Sequence, residues 1–396
     1  MKNLFLIITF VFLLISCKKS TDKKTETNSI GLAELQTKID SLFSSKIGEY
    51  EPGAAIAISY GQEMIFGKGY GLRDLETKEP ITLNTNMRMA SVSKQFTALC
   101  ILSLTDKDLL SLNDTISKFW NFPVFKDITV EHLLNHTSGL ADYEEPYFLE
   151  RWDKSKIVEN KDILKWLETN PKPLFEPGDG WEYSNTAYLV LALLVEKVSG
   201  QEFSSFAKEN IFNKAGMDNT NFFNLAEPIE IKERAYCYER DSLGNWEKVD
   251  GFFMNGILGD GAVYTSVHDY LEYDKTLRNK ELISKKSHEL IFKPSSNIDG
   301  EWPNTGHEMI DLYPFFKNKE IGYGMAWIVT DDMATHRGSW YGTRTMVVRR
   351  LDEPLTILLF MNSNSDKREI LMIETYELVN QYFKTTTNNS NRGTSP

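Results

Sequence analysis

Residues 88–100, Arg-Met-Ala-Ser-Val-Ser-Lys-Gln-Phe-Thr-Ala-Leu-Cys, set Ser91 and Lys94 three apart at the head of a run that is otherwise almost wholly apolar. An unpaired ammonium in a dry interior is among the costliest groups a fold can hold, so Lys94 needs a chemical reason to be there. Residues three apart share a helix face, which brings Lys94 Nζ within reach of Ser91 Oγ. A helix N-terminus adds unpaired N–H groups and partial positive charge, favouring an alkoxide on Ser91 and an oxyanion beside it. Desolvation and the same positive end disfavour an ammonium, so Lys94 can give up its proton and act as a base. The plainer alternative makes Ser91 an N-cap and lets Lys94 snorkel to water. The S-x-x-K spacing alone does not decide, because it recurs at Ser20/Lys23 in a polar stretch and at Ser205/Lys208 on an amphipathic helix.

Two further segments carry polar groups in chemically useful patterns. Tyr183-Ser184-Asn185, the only Tyr-x-Asn of the chain, stands between a Pro-Gly turn and a strongly apolar helix. A phenol there can pass a proton between Ser91 and a leaving group, and the Asn185 amide can donate to a substrate carbonyl. Ser184 or Asn185 can equally cap the helix that follows. His336-Arg337-Gly338, the only His-x-Gly, precedes an apolar, β-branched run. If extended, it puts His336 and Gly338 on one face and Arg337 on the other. Gly338 then leaves room for substrate backbone, and the Ser339 N–H joins that of Ser91 as an oxyanion hole. An edge-strand glycine beside a solvated histidine is the simpler reading of that segment.

S-x-x-K opening a buried helix, then Tyr-x-Asn, then a short Gly-containing motif near the C-terminus, resembles the penicillin-recognising serine hydrolases. The resemblance is to the class C β-lactamase, D-alanyl-D-alanine carboxypeptidase and family VIII esterase group, and runs from about Gly31 to Phe383. It implies that Ser91 is the acylated nucleophile and that Lys94 and Tyr183 form the proton-transfer pair, either of them the principal base. It also makes Asn185 a substrate-amide contact and His336 with Gly338 the third element. No metal or cofactor is implied. One departure narrows the substrate: β-lactamases usually carry Lys-Thr/Ser-Gly as third motif, and this chain has none. An unperturbed imidazole has pKa about 6.5, so His336 is a poor anchor for an anionic substrate, and strong β-lactamase activity is not expected. Arg344 is a candidate replacement. Ester, amide and peptide substrates stay open.

These groups need a scaffold. Two runs around the Tyr60-Gly61-Gln62 turn read as a hairpin, and Tyr323–Thr330, Gly342–Arg350 and Leu355–Asn362 read as three more strands. About five strands with short links make one antiparallel sheet whose halves lie far apart in sequence. Helical patterns span Leu32–Ile47, Val92–Leu104, Glu131–Leu134, Ile163–Leu167, Ala187–Val198 and Ile370–Phe383. The expected fold class is α+β, β-lactamase/transpeptidase-like, with an α/β part at about 31–111 and 291–384 and an all-helical insertion at about 112–290. "GDGAVYTSVHD", 259–269, is expected to wall the cleft, although Ser266-x-x-Asp269 equally fits a helix cap. His132 and His136 stand four apart without the Glu of a zinc helix, so structural roles are expected.

The ends and the charge bound the rest. Lys2 and the apolar stretch Leu4–Ile15 read as an export signal, and Leu14-Ile15-Ser16-Cys17 resembles a bacterial lipobox, making Cys17 the lipidated residue. Residues 18–30 read as a solvated tether, and 385–396 as a disordered tail. The expected partners are a small ester, amide or peptide substrate and a lipid bilayer through Cys17. The formal net charge of −12 argues against nucleic acid. Cys100 and Cys237 are expected as buried thiols. No G-x-S-x-G elbow supports a Ser-His-Asp hydrolase. The competing class is a catalytically silent, envelope-tethered protein that holds cell-wall peptide. Oligomeric state is not legible.

Overall fold

In the strand Ala54–Tyr60 the side chains alternate between two cores. Ala55 and Ala57 face one, Ile56 and Ile58 the other, and all four are fully buried. A strand covered on both sides reads as a continuous apolar run, which is why this segment lacks polar residues until its end. The computed structural model describes residues 30–145, 149–169, 173–294, 296–297 and 313–390. The signal, the lipobox with Cys17 and the tether through Ser29 lie outside them.

The central sheet has eight antiparallel strands: β1 (Ala54–Tyr60), β2 (Glu63–Tyr70), β3 (Ser296–Asn297), β4 (Gly322–Tyr323), β5 (Ile328–Val329), β6 (Met333–Trp340), β7 (Thr343–Arg350) and β8 (Leu355–Met361). Their spatial order is β3-β4-β5-β6-β7-β8-β1-β2, so β1 and β8 join the ends of the chain, with Ile56 opposite Leu359. The sequence count of about five is therefore short. Tyr323–Thr330 splits into β4 and β5, because Ala326 adopts φ +64° in the turn between them. Met333–Trp340 is a full strand, hidden in the sequence by the polar run Thr335–Ser339.

Helices α1 (Leu32–Lys46) and α7 (Lys367–Ser390) cover one face of the sheet, with Leu35, Ile39, Phe43, Leu371, Met372 and Val379 buried there. Helix α7 continues through Ser390, so 385–390 extend a helix rather than a disordered tail. On the other face lie α2 (Lys94–Thr105), α3 (Val130–Leu134), α4 (Asn160–Thr169), α5 (Asn185–Ser199) and α6 (Val267–Arg278). Helix α2 buries every residue from Lys94 to Leu104, and α5 those from Asn185 to Ala192, the two packing together as the centre of the larger core. The 112–290 stretch is not all helix. Asn221–Phe222 and Val263–Thr265 form a small sheet with Met87–Arg88, and Tyr238–Arg240 pairs with Trp246–Lys248. That small sheet matters because it holds the residues just before Ser91.

Candidate active site

Ser91 lies in a 3-10 turn, Ala90–Ser93, that runs into α2. In 3-10 geometry side chains three apart eclipse, which aligns Ser91 with Lys94 more directly than an α-turn would. The N-cap positions of the turn and of α2 fall on Met89 and Ser93, so Ser91 is not the N-cap. Ala90 adopts φ +46°, a left-handed conformation costing about 1–2 kcal/mol for a residue with Cβ. The surroundings impose it. Met89 N–H donates to Val263 O at 2.8 Å, Thr345 Oγ1 to Met89 O at 2.8 Å, and Val263 N–H to Ser93 Oγ at 3.1 Å.

Gly338 completes this clamp. A Cβ there would sit 2.2 Å from Met89 O, 2.3 Å from Thr345 Oγ1 and 3.1 Å from Ala90 Cβ. The expectation that Gly338 makes room for substrate is thus corrected: its space is filled by the Ser91 turn. Room for an extended ligand lies instead along the strand edge. β5 pairs only with Ala334 and Thr335, leaving the residues of β6 from His336 on without a strand on that side among the described residues. Arg368 Nη1 steadies this segment by donating to Gly338 O (2.8 Å) and Ser339 Oγ (2.9 Å).

Lys94 is fully buried and donates to Asn185 Oδ1 at 2.6 Å and Asp260 O at 2.9 Å, with Ser91 Oγ at 3.4 Å. Both short contacts are to atoms that only accept, since Asn185 Nδ2 is turned to Asp142 Oδ2 at 3.0 Å. A neutral amine has two donors and one lone pair. A neutral Lys94 with both donors used on these two atoms has its lone pair left to accept from Ser91 Oγ, 3.4 Å away. Burial pushes the Lys94 pKa down, against a weaker upward pull from Asp260, Glu144 and Asp142. Asn185, expected to contact substrate, lines the cavity but commits its amide to Lys94 and Asp142, and its N–H also donates to Asp142 Oδ2 at 2.8 Å.

Tyr183 Oη is cut off from solvent and makes no hydrogen bond. Burial pushes its pKa well up, while the Ser91 hydroxyl nearby pulls the other way. The ring lies 4.9 Å from Lys94 Nζ. Ser184 caps α5, accepting from Ala187 N–H at 3.2 Å, which is the structural role expected of this motif.

The two buried histidines form a directed chain. Ser184 N–H donates to His136 Nδ1 (3.1 Å), which leaves the other ring nitrogen of His136 to donate to Tyr323 Oη (3.1 Å). Tyr323 Oη then donates to His336 Nε2 (3.1 Å), and His336 Nδ1–H to Arg337 O (2.8 Å). Burial lowers both imidazoles, His336 to about 3, so both stay neutral. His336 is therefore no solvated edge residue, and Tyr323 is a site residue that sequence reasoning missed. His132 caps α3 through Thr129, a structural role.

Ser91, Tyr183, Asn185, His336 and Ser339 line one cavity of about 450 Å³. Arg337, expected to turn away, lines it too, with Arg344 and Arg368. Asp260 and Gly261 wall the adjoining pocket at Ser91, and Ser266 caps α6 through Asp269 N–H at 3.0 Å, so both readings of 259–269 hold. Asp142, Tyr143, Glu144 and Asp260 were not singled out as site residues. The run Ala-Asp-Tyr-Glu-Glu at 141–145 gives only a charge cluster, and nothing in it signals that Asp142 orients Asn185.

The chain belongs to the beta-lactamase family, whose family model matches residues 39–380. It is a serine hydrolase of that family. It is 31% identical over 344 residues to penicillin-binding protein 4* of Bacillus subtilis, covering 83% of this chain and 72% of that protein. It is 29% identical over 231 residues to a D-aminopeptidase of Brucella anthropi, covering 57% of this chain and 42% of that one. Among solved structures it resembles the octameric penicillin-binding protein homologue from Pyrococcus abyssi, with TM-score 0.70, 25% identity, and coverage of 83% of this chain and 73% of that one.

Proposed function

We propose that this chain cleaves ester or amide substrates through an acyl-enzyme on Ser91. Lys94 takes the Ser91 proton as Oγ bonds to the substrate carbonyl carbon. Tyr183, a neutral phenol at rest, relays a proton to the leaving group as its bond to that carbon breaks. Water then attacks the acyl carbon, and the proton returns to Ser91 through the same groups. The observation that carries this reading is the fully buried Lys94, whose two donors are taken by Asn185 Oδ1 and Asp260 O. Ser339, on the same cavity, supplies the second oxyanion N–H beside that of Ser91.

Esterase, D-amino peptidase and DD-carboxypeptidase activities all fit this chemistry, and a relative named D-aminopeptidase supports the amide side. Strong β-lactamase activity is not part of the proposal, because the third motif has no lysine and neutral His336 has both ring nitrogens engaged. The domain is further proposed to sit outside the cytoplasm on a lipid-modified Cys17, a reading that rests on the amino-terminal sequence alone. Loss from the membrane fraction in Cys17→Ser checks it. For the chemistry, purified protein is assayed on p-nitrophenyl esters, D-amino amides and a chromogenic cephalosporin. Turnover of an ester or amide that disappears in Ser91→Ala supports the proposal; no Ser91-dependent turnover on any of them favours a silent binder of cell-wall peptide.

A further inference from the structure

The geometry points to Asp142 as a positioning residue for the acylation step: its carboxylate, acting through the Asn185 amide, makes Lys94 the base for Ser91, and a proton on Asp142 switches that base off. This rests on the reading of Ser91 as the acylated residue and adds the group that governs its activation.

Asp142 is bolted to the start of α5. Its Oδ2 accepts from Asn185 N–H at 2.8 Å and from Asn185 Nδ2 at 3.0 Å, and its Oδ1 accepts from Glu144 N–H at 2.9 Å. The next residue is fixed twice more, Tyr143 N–H donating to Thr186 Oγ1 at 2.9 Å and Tyr143 Oη to Asp260 Oδ2 at 2.5 Å. All three donors to the Asp142 carboxylate are neutral amides, so these contacts set a direction rather than form an ion pair.

That direction decides what Lys94 can do. An Asn side chain has one oxygen that accepts and one nitrogen that donates, and whichever faces Asp142 leaves the other for Lys94. An ionised carboxylate has no donor, so it takes Nδ2 and leaves Oδ1 to accept from Lys94 Nζ at 2.6 Å. With Asp260 O taking the second donor at 2.9 Å, the lone pair of the neutral amine is left for Ser91 Oγ, 3.4 Å away. Turning the amide over would aim Nδ2–H at Lys94 and engage that lone pair, and Ser91 would lose its base. A protonated Asp142 stabilises the turned amide, because its O–H can donate to Asn185 Oδ1.

Burial raises the Asp142 pKa to about 6, against the N–H donations of Asn185 and Glu144. The titratable groups facing it are Lys94 from α2, Tyr183 from the segment before α5, Asp260 from the 259–261 turn, and Tyr143 and Glu144 of its own run. Burial keeps both phenols neutral and pushes Glu144 well above the usual carboxylate range. The ionised Asp142 is the positioning form, so acylation is complete above about pH 6 and is lost as pH falls through that value.

The test follows the acylation rate of the whole chain with p-nitrophenyl acetate between about pH 5 and 8, in the unaltered protein, Asp142→Asn, Asn185→Leu and the double variant, with urea midpoints to show that each is folded. The unaltered protein should lose acylation about tenfold per unit below about pH 6, and a rate flat down to about pH 5 overturns the inference. Asp142→Asn should lower the plateau at least about tenfold and move the acid midpoint down by at least about half a unit, because the remaining titration is that of Lys94, whose ammonium has lost a stabilising carboxylate. A structural loss alone would leave the midpoint in place, so an unmoved midpoint or an unchanged plateau overturns the inference. Asp142 acts through Asn185, so adding Asp142→Asn to Asn185→Leu should cost less than about twofold, and a full independent loss overturns it. No Ser91-dependent acylation of the unaltered protein at any pH sinks the acyl-enzyme reading itself; Asp142→Asn acylated on Ser91 with the unaltered rate and pH profile sinks this inference alone.

Discussion

Replacing Gly338 with alanine tests whether the third motif acts by clamping the nucleophile turn. The new Cβ would lie 2.2 Å from Met89 O and 2.3 Å from Thr345 Oγ1, where ordinary contacts are 3.4–4 Å. Backbone and a strand side chain cannot swing away like a long flexible one, so β6 and the turn must part by about 1 Å. Parting weakens the Thr345–Met89 hydrogen bond, for about 1 kcal/mol, and overpacking adds about 1–3 kcal/mol. The larger effect is on chemistry. Ser91 and Ser339 sit on the two pieces being separated, and a misplacement of about 1 Å costs roughly 100-fold in rate. Gly251→Ala is the control, because nothing lies within 4 Å of the added methyl. It should change stability by less than about 1 kcal/mol and leave acylation alone. The assay is the acylation rate with a p-nitrophenyl ester, paired with urea unfolding. Gly338→Ala with wild-type acylation and wild-type stability would refute the clamp.

Three other outcomes follow from named contacts. Lys94→Arg keeps the charge but cannot deprotonate, so acylation should fall by about 10²–10⁴, and an unchanged rate would move the base role to Tyr183. Tyr323→Phe strands the ring nitrogens of His136 and His336 that face it, and should cost about 2–4 kcal/mol in urea unfolding; a loss below 0.5 kcal/mol, on the order of a surface change, would mean the chain of bonds is dispensable. His336 has a folded pKa of about 3 against about 6.5 unfolded, so the unfolded state binds the proton first as pH falls. Its contribution is complete above about pH 6.5 and is lost on acidification at up to about 1.4 kcal/mol per unit, roughly 2 kcal/mol between pH 7 and 5. His336→Asn should lose less over that interval, as read by unfolding midpoints; equal losses would place the proton elsewhere.

What the sequence disclosed follows from how local each signal is. Ser91, Lys94 and Tyr183 were visible because a lysine in an apolar helix and a phenol before a buried one break the hydrophobic pattern within a few residues. Helix α5 was legible down to Gly200, whose φ of +72° ends it. β6 was not, since its buried threonine and histidine take their partners from other strands and loops, such as Thr335 Oγ1 donating to Val347 O at 2.6 Å. The packing partners of Asn185 and Gly338 were not legible for the same reason. One depends on Asp142 and the other on Met89, and neither partner is near in sequence.

The account turns on a single reactive hydroxyl. Protein treated with a fluorophosphonate and digested for mass spectrometry should carry the adduct on Ser91 alone, and Ser91→Ala should take up none. Adduct on a different residue, or undiminished labelling of Ser91→Ala, would contradict it.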